Sequence, residues 1–504
     1  MLELVNLAYQ PVAAWEGSAR AAFAASIGGR YPRVRDLTDP RNDEKRFQLR
    51  VNADTKEGAM PYAALIPPEQ ERSGPYGGMS FVMFPSSEAG EPALLGMVVG
   101  TSGLAPDEAI LGRPGHARKV AAIARWLSTR LPAWAKNDPV RIDLALPQTV
   151  LRTFGIGDAL AKKYGPCTYA LVRLPRVRTA ESDEDARIAF AALIDLTLGE
   201  RGIEPTAANR ADADRHRDGW MSTLLPRTSD QAVVELLRAR RFAVLEGPPG
   251  TGKSELAGRV LEEHYGGRGT TRQFHPGTTY ESFVGGLMPR ETTGGLGVTF
   301  APEAGVLIRA AEAARELRNG ERYLLVLDEI NRADLAKVLG EAIFLFEPGK
   351  RRTVELPLVF GGKRELDLPD NLDVLGTMNS ADRSIAILDV AVRRRFAFQA
   401  LWPDRSWLKD QAANGRTVML DAFDEVLRVF IEYAAAEAFT LIPGPSYFIA
   451  PPGMSEATCL RTGLRPLLSE YIAQGFVSGF ADELRAVLDW AEAEAEARSR
   501  SATT

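Results

Sequence analysis

Residues 247–254 read Gly247-Pro248-Pro249-Gly250-Thr251-Gly252-Lys253-Ser254, a complete Walker A octapeptide. The apolar run Phe242-Ala243-Val244-Leu245 leads into it, and Glu255-Leu256-Ala257-Gly258-Arg259-Val260-Leu261 leaves it with helical spacing. Strand, glycine-rich turn and helix N-terminus, in that order, converge backbone N–H groups on phosphate oxygens. Gly250 and Gly252 permit close backbone approach, Lys253 is expected to reach the β- and γ-phosphates, and Ser254 is expected to ligate Mg²⁺. The pattern predicts a nucleoside triphosphate, GTP or ATP, bound on an α/β fold with a parallel sheet.

The bulk composition bounds the rest. At 504 residues the chain exceeds what one hydrophobic core usually serves, so two or three domains are expected. A net charge of −5 supplies no overall basic field, so any nucleic-acid site has to be a local patch. Cys167 and Cys459 form no disulfide framework or metal-ligand spacing, which points to a reducing cytoplasm. His116, His216, His264 and His275 are scattered, which argues against a histidine metal site. No apolar run approaches bilayer length and the N-terminus lacks a signal pattern, so no membrane partner is expected.

Along the chain, residues 1–175 read as a small α+β domain. Strands are predicted at Ser80–Phe84, Ala93–Val99, Arg141–Leu146 and Tyr169–Leu174, and a helix at His116–Leu131. Residues 176–215 read as a charged helical connector. Residues 216–402 alternate strand-like runs with helices, as a parallel sheet requires. Residues 403–490 read as a helical lid, and 491–504 as a disordered tail begun by a fraying helix.

Behind the phosphate loop comes Tyr323-Leu324-Leu325-Val326-Leu327-Asp328-Glu329, a buried strand ending in two acids. This is a Walker B pattern, with Asp328 holding Mg²⁺ and Glu329 polarising the attacking water. Arg272-Gln273-Phe274-His275 supplies an intervening strand. A third strand, Leu372-Asp373-Val374-Leu375-Gly376-Thr377-Met378-Asn379, ends in a polar residue where AAA+ proteins carry sensor 1, so Asn379 takes that role. Arg393, Arg394 and Arg395 stand directly before the last core strand, where an arginine finger serving a neighbouring subunit is expected. Arg394 is the first choice and Arg393 the second.

Leu327-Asp328-Glu329-Ile330-Asn331-Arg332-Ala333-Asp334-Leu335-Ala336-Lys337-Val338-Leu339-Gly340-Glu341 resembles the Walker B segment of the McrB family, AAA+ NTPases of modification-dependent restriction systems. Gly376-Thr377-Met378-Asn379-Ser380-Ala381-Asp382-Arg383-Ser384 is similar to another family segment, with Ser380 where the family has Thr. Gln273-Phe274-His275, Tyr280-Glu281-Ser282-Phe283-Val284-Gly285-Gly286, Gly444-Pro445-Ser446-Tyr447-Phe448 and Leu467-Leu468-Ser469-Glu470-Tyr471 also fit, so the resemblance spans roughly residues 230–475. It implies an AAA+ core with a helical lid, a hexameric ring, and a separately encoded McrC-like endonuclease as partner. It also implies GTP ahead of ATP, with Asp382 as the candidate reader of guanine N1–H and N2–H. A rival reading is a MoxR-like chaperone that remodels a protein complex. A second is a nucleotide-gated scaffold with negligible turnover.

In McrB-like proteins the N-terminal domain selects the target, often modified DNA. Reading a flipped base needs an aromatic pocket, for which Tyr62, Tyr76, Phe81, Phe84, Trp126 and Trp134 are the candidates, although core packing is the more ordinary use of such residues. Arg113-Pro114-Gly115-His116-Ala117-Arg118-Lys119 offers a basic segment to track phosphates. Phe154-Gly155-Ile156-Gly157-Asp158 resembles a helix–hairpin–helix turn, with the second helix expected to be stopped by Gly165-Pro166.

Overall fold

In the N-terminal half six strands build one antiparallel sheet: β1 (Gln48–Asn52), β2 (Tyr62–Ile66), β3 (Met79–Phe84), β4 (Leu94–Val99), β5 (Ala133–Ala135) and β6 (Thr168–Arg173), in the order β1-β2-β3-β4-β6-β5. Every residue of β3 and β4 is buried because helices cover both faces of the sheet. Phe81, Met83, Leu95 and Met97 pack with the helices Trp15–Arg30, Pro114–Leu127 and Ala180–Gly199. Val82, Phe84, Leu94 and Leu171 pack on the other side with Gln148–Phe154 and Asp158–Tyr164. The alternation of adjacent residues between two cores is the period of two expected of a strand.

The computed structural model describes residues 1–32, 47–55, 60–70, 74–85, 90–291, 298–347, 352–360, 362–382 and 390–501. It divides into two compact units, residues 1–225 with 431–433, and residues 226–430 with 434–504. The segment 176–215 is therefore not a free connector. Its helix Ala180–Gly199 buries Ala186, Ala189, Phe190, Leu193 and Ile194 in the first unit's core, and a second helix, Ala207–Leu224, continues that unit. The strand predicted at Arg141–Leu146 is absent. Arg141 folds back on Asp143 at 2.9 Å and Leu144 is exposed, so the Ile142-Leu144-Leu146 alternation faces no partner sheet.

Other N-terminal expectations also change. Tyr76, Phe81 and Phe84 are core residues, Tyr62 packs edge-on against Tyr164, and Trp126 lies against His216, so packing among the described residues accounts for these aromatics. The basic segment is largely internal: His116 is fully buried, and Lys119 pairs with Glu200 at 2.7 Å. Gly165-Pro166 does not prevent the second short helix, because Asp158–Tyr164 is complete before it. Gly155 takes the left-handed conformation (φ 61°) that turns one helix into the other, and Ile156 is buried beneath the turn.

Burial works against ionisation of Glu200, but His116 and Lys119 outweigh it and hold its carboxyl down at about 2. A depressed folded-state value contributes stability that is present above the ordinary carboxylate range and lost as pH falls through about 2. Glu200→Gln is expected to destabilise this unit by about 3 kcal/mol at neutral pH. The gap from wild type should close as pH approaches 2; denaturant midpoints measured across that range check both points.

The second unit begins from strands that are buried on both faces and so read as continuous apolar runs. β7 (Phe242–Gly247), β8 (Gly269–Gln273), β11 (Tyr323–Asp328), β14 (Leu372–Asn379) and β15 (Ala397–Ala400) form a parallel sheet in the order β15-β7-β14-β11-β8. Phe242, Val244, Leu325 and Leu327 face one core, while Ala243, Leu245, Leu324 and Val326 face the other. β8, at an edge, is polar and exposed, as an edge strand tolerates. Two antiparallel hairpins are inserted between these strands: β9 (Gly285–Glu291) with β10 (Val298–Ala304), and β12 (Thr353–Phe360) with β13 (Lys363–Asp367). Helices from Lys409–Ala413 onward, apart from residues 431–433, form the lid within the same unit. The last helix, Ala481–Ser501, is ordered through most of the expected tail. Ala491 and Ala495 are buried, Glu492 pairs with Arg465 at 2.5 Å, and residues 502–504 lie outside the described residues. No helix among the described residues is long and apolar enough to cross a membrane.

Candidate functional site

Parallel pairing brings four strand ends to one edge of the sheet. In register, Gly247 lies opposite Asn379, Leu327 opposite Gly376, and Asp328 opposite Gln273. The carboxyl ends of parallel strands are where open α/β sheets bind ligands. The loop after β7 runs through Pro248, Pro249, Gly250 (φ 78°) and Gly252 (φ 82°), conformations that only glycine adopts readily, and then opens the helix Lys253–Arg259. Thr251 is buried and its hydroxyl donates to the Pro248 carbonyl at 2.9 Å, closing the turn.

Lys253 is buried, and its ammonium donates to the carbonyls of Gly247 (3.0 Å) and Pro248 (2.7 Å), inside the hollow of the loop. Burial pushes this ammonium down to about 8, against the opposing pull of Asp382, Asp328 and Glu329. A phosphate at that point would supply the negative charge that the amine lacks. Ser254 donates to Asp328 Oδ1 at 2.6 Å, and Thr377 donates to the same oxygen at 2.5 Å. A hydroxyl and a carboxylate held this close are hard oxygen donors that fit Mg²⁺, whose remaining ligands are usually phosphate oxygens and water.

Glu329 is one of two non-glycine residues with positive φ among the described residues (φ 55°, ψ 48°), a strain of about 1–3 kcal/mol of the kind found at functional positions. Its N–H donates to Thr377 Oγ1 at 3.0 Å. Its carboxylate accepts from Gln273 Nε2 at 3.0 Å and is ion-paired with Arg332 at 3.1 Å. Asn331, also buried, donates from Nδ2 to the Asn379 carbonyl at 3.1 Å, which ties the Walker B turn to the end of β14. The Asn379 amide is 3.5 Å from Asp382, and Asp382 is 3.9 Å from Arg332.

Asp382 therefore stands with Asn379 and Arg332, and its charge acts on Lys253. The guanine-reading role expected for it is not supported by this placement. The arginines separate as well. Arg395 is 3% exposed, pairs with Glu347 at 3.1 Å and caps the Ala391 carbonyl, so it is a packing residue and not a finger. Arg393 is half-exposed and lies 3.9 Å from Glu246. Arg394 is exposed and has no ion pair among the described residues. Residues 383–389, which include Arg383 and Ser384, lie outside the described residues.

Gln273, Asn331, Arg332 and Thr377 join the site without having been singled out for it. The signal for Gln273 and Thr377 was register: once β8, β11 and β14 are neighbours, residues 273 and 377 fall beside Asp328 and Glu329.

A family model for the AAA domain (dynein-related subfamily) matches residues 243–396. The chain is 28% identical over 360 residues to the type IV methyl-directed restriction enzyme EcoKMcrB subunit of Escherichia coli strain K12, covering 65% of this chain and 75% of that protein. The chain is similar to the McrB-like AAA+ proteins. It is also 29% identical over 201 residues to the type II restriction enzyme BsuMI component YdiS of Bacillus subtilis strain 168, covering 32% of this chain and 57% of that one. A solved structure from Cytophaga hutchinsonii, provisionally described as an ATPase, matches at 14% identity over 42% of this chain and 72% of its own, with a TM-score of 0.25, and carries no argument. The McrB-like AAA+ core is an NTPase core, which uses a nucleotide and Mg²⁺.

Proposed function

We propose that this chain is the NTPase motor subunit of a restriction system, hydrolysing GTP or ATP in a hexameric ring to drive a separate McrC-like endonuclease on DNA. The observation that carries the reading is the convergence of Lys253, Ser254, Asp328, Glu329 and Asn379 on one sheet edge. In this reading the 247–254 loop cradles the phosphates, Lys253 neutralises the β- and γ-oxygens, and Ser254 and Asp328 hold Mg²⁺, which offsets charge on the triphosphate. Glu329 orients and polarises the attacking water, Asn379 senses the γ-phosphate, and Arg394, with Arg393 second, completes the neighbouring subunit's site. The similarity to the EcoKMcrB subunit, which runs well beyond the AAA domain, supports the restriction assignment. With Asp382 beside Asn379 and Arg332, the preference for GTP rests on family resemblance alone, and direct competition between GTP and ATP measures it.

The N-terminal unit is the part we assign to DNA. Its best-placed basic groups are Arg152, Lys162 and Lys163, exposed on the two short helices joined by Gly155-Ile156-Gly157. The test is phosphate release by the purified chain with Mg²⁺ and either nucleotide, run beside DNA binding at several salt concentrations. Affinity that falls steeply with salt supports phosphate-backbone contact. Nucleotide turnover without any DNA affinity would return the chain to the class of protein-remodelling chaperones.

Lys253→Ala is expected to weaken nucleotide binding by about tenfold to a hundredfold, the worth of a charge-assisted contact. Titration with a fluorescent nucleotide reads it directly, and unchanged affinity would remove Lys253 from the phosphate site.

A further inference from the structure

The phosphate loop does not hold its shape alone. The lid turn that begins at Gly444 lies directly on it: the Gly444 N–H donates to the Pro249 carbonyl at 3.0 Å, and the Ser446 N–H donates to the Gly250 carbonyl at 3.2 Å. Contact is backbone to backbone. A Cβ placed on Gly444 would fall on the Gly250 carbonyl and the Thr251 nitrogen, and one on Gly250 would fall on Ser446 Oγ and the Tyr447 ring. A third tie closes the same group, since the Ser380 N–H donates to the Gly247 carbonyl at 3.0 Å and its hydroxyl to the Thr440 carbonyl at 2.7 Å. Loop, sensor strand and lid are thus laced through main-chain atoms.

The peptide bond is planar and trans, so the C=O and N–H of one peptide unit point in opposite directions. Drawing the Pro249 and Gly250 carbonyls toward the lid turns the N–H groups of Gly250 and Thr251, in the same two units, the other way. That is the orientation a phosphate nest requires. We propose that the lid turn Gly444–Ser446 is part of the phosphate-binding apparatus, holding two carbonyls outward so that the Gly250 and Thr251 N–H groups face the nucleotide, with Gly444 as the positioning residue. The inference rests on the reading that the 247–254 loop binds a nucleoside triphosphate. It adds that lid position and phosphate grip are one variable: a lid that lifts releases the carbonyls and lets the nest lose its aim.

The experiment uses the full chain, a fluorescent GTP or ATP analogue with Mg²⁺, and the variant Gly444→Ala. Wild type should bind. Gly444→Ala, with a cooperative melting transition, should bind at least about tenfold more weakly, while its turnover at saturating nucleotide changes less than its KM. Wild-type protein that binds neither analogue overturns the phosphate site and this inference with it. Wild type that binds beside a folded Gly444→Ala of equal affinity overturns the lid turn's role alone. Amide hydrogen exchange on wild type gives a measure independent of the variant's folding. The Gly444 and Ser446 amides should be protected in the free protein and slow further with nucleotide, with less slowing in Lys253→Ala at a nucleotide concentration that saturates only wild type. Exchange at the unprotected rate, or exchange indifferent to nucleotide, overturns the proposal.

Discussion

Glu329→Gln is expected to keep nucleotide affinity within a few-fold of wild type and to lose about a hundredfold to ten-thousandfold in hydrolysis, the range of a positioned general base. The substitution conserves size and leaves untouched the backbone that aims the side chain, namely the left-handed φ of 55° and the N–H bond to Thr377. It removes only the charge and basicity of the oxygen that would accept a proton from water. In the structure one oxygen of that carboxylate, Oε2, accepts from Gln273 and is ion-paired with Arg332. Both contacts fall on Oε2, which leaves Oε1 to accept from water. Phosphate release and equilibrium binding, measured on the same preparation, separate the two effects. Wild-type turnover in Glu329→Gln would show that another group activates the water.

The parts legible in sequence were those where one residue type answers to one physical demand. β7, β11 and β14 are buried on both faces, so β7 and β11 are led by unbroken apolar runs and β14 is largely apolar around a buried Asp373 and Thr377, and the phosphate loop needs glycine wherever φ is positive. Of the strands that escaped, β2 is an apolar run of ordinary length, and two others are short or mixed. β5 has three residues, and β1 carries a buried arginine, Arg50, within its apolar positions. Arg141–Leu146 alternates correctly but meets no sheet, since periodicity gives the face of a strand and not the existence of its neighbour. The site divides in the same way. Lys253, Ser254, Asp328 and Glu329 sit in contiguous motifs, whereas Gln273 and Thr377 enter only through the register of parallel neighbours. The lid turn is less visible still, because its contribution is two main-chain N–H groups, and Gly444 is the one residue whose identity it constrains. Asp382 shows the opposite hazard. A resemblance to a base-reading motif outran the geometry, which sets that carboxylate beside Asn379.

Arg394→Ala is expected to lower turnover by about a thousandfold or more, the usual worth of an arginine finger, without changing the affinity of the subunit's own loop for nucleotide. Three consecutive arginines meet three different environments. Arg395 is buried on Glu347 and against Phe344, so Arg395→Ala should act on folding, with about 3 kcal/mol lost by leaving a partly buried carboxylate unpaired. Arg393 shares Glu246 and the face of Phe398 with its own chain, which holds it close to home. Arg394 is exposed and free of an ion pair among the described residues, as a group must be if its partner is a phosphate on another subunit. The trans geometry has a signature that no in-chain role imitates. When Arg394→Ala protein is mixed with wild type, activity should fall more steeply than the wild-type fraction, because each mutant subunit silences a neighbour whose own loop is intact. A loss strictly proportional to the mutant fraction would confine Arg394 to its own chain. Equal turnover in the pure variant would pass the finger to Arg393, whose 3.9 Å contact with Glu246 is loose enough to break on assembly.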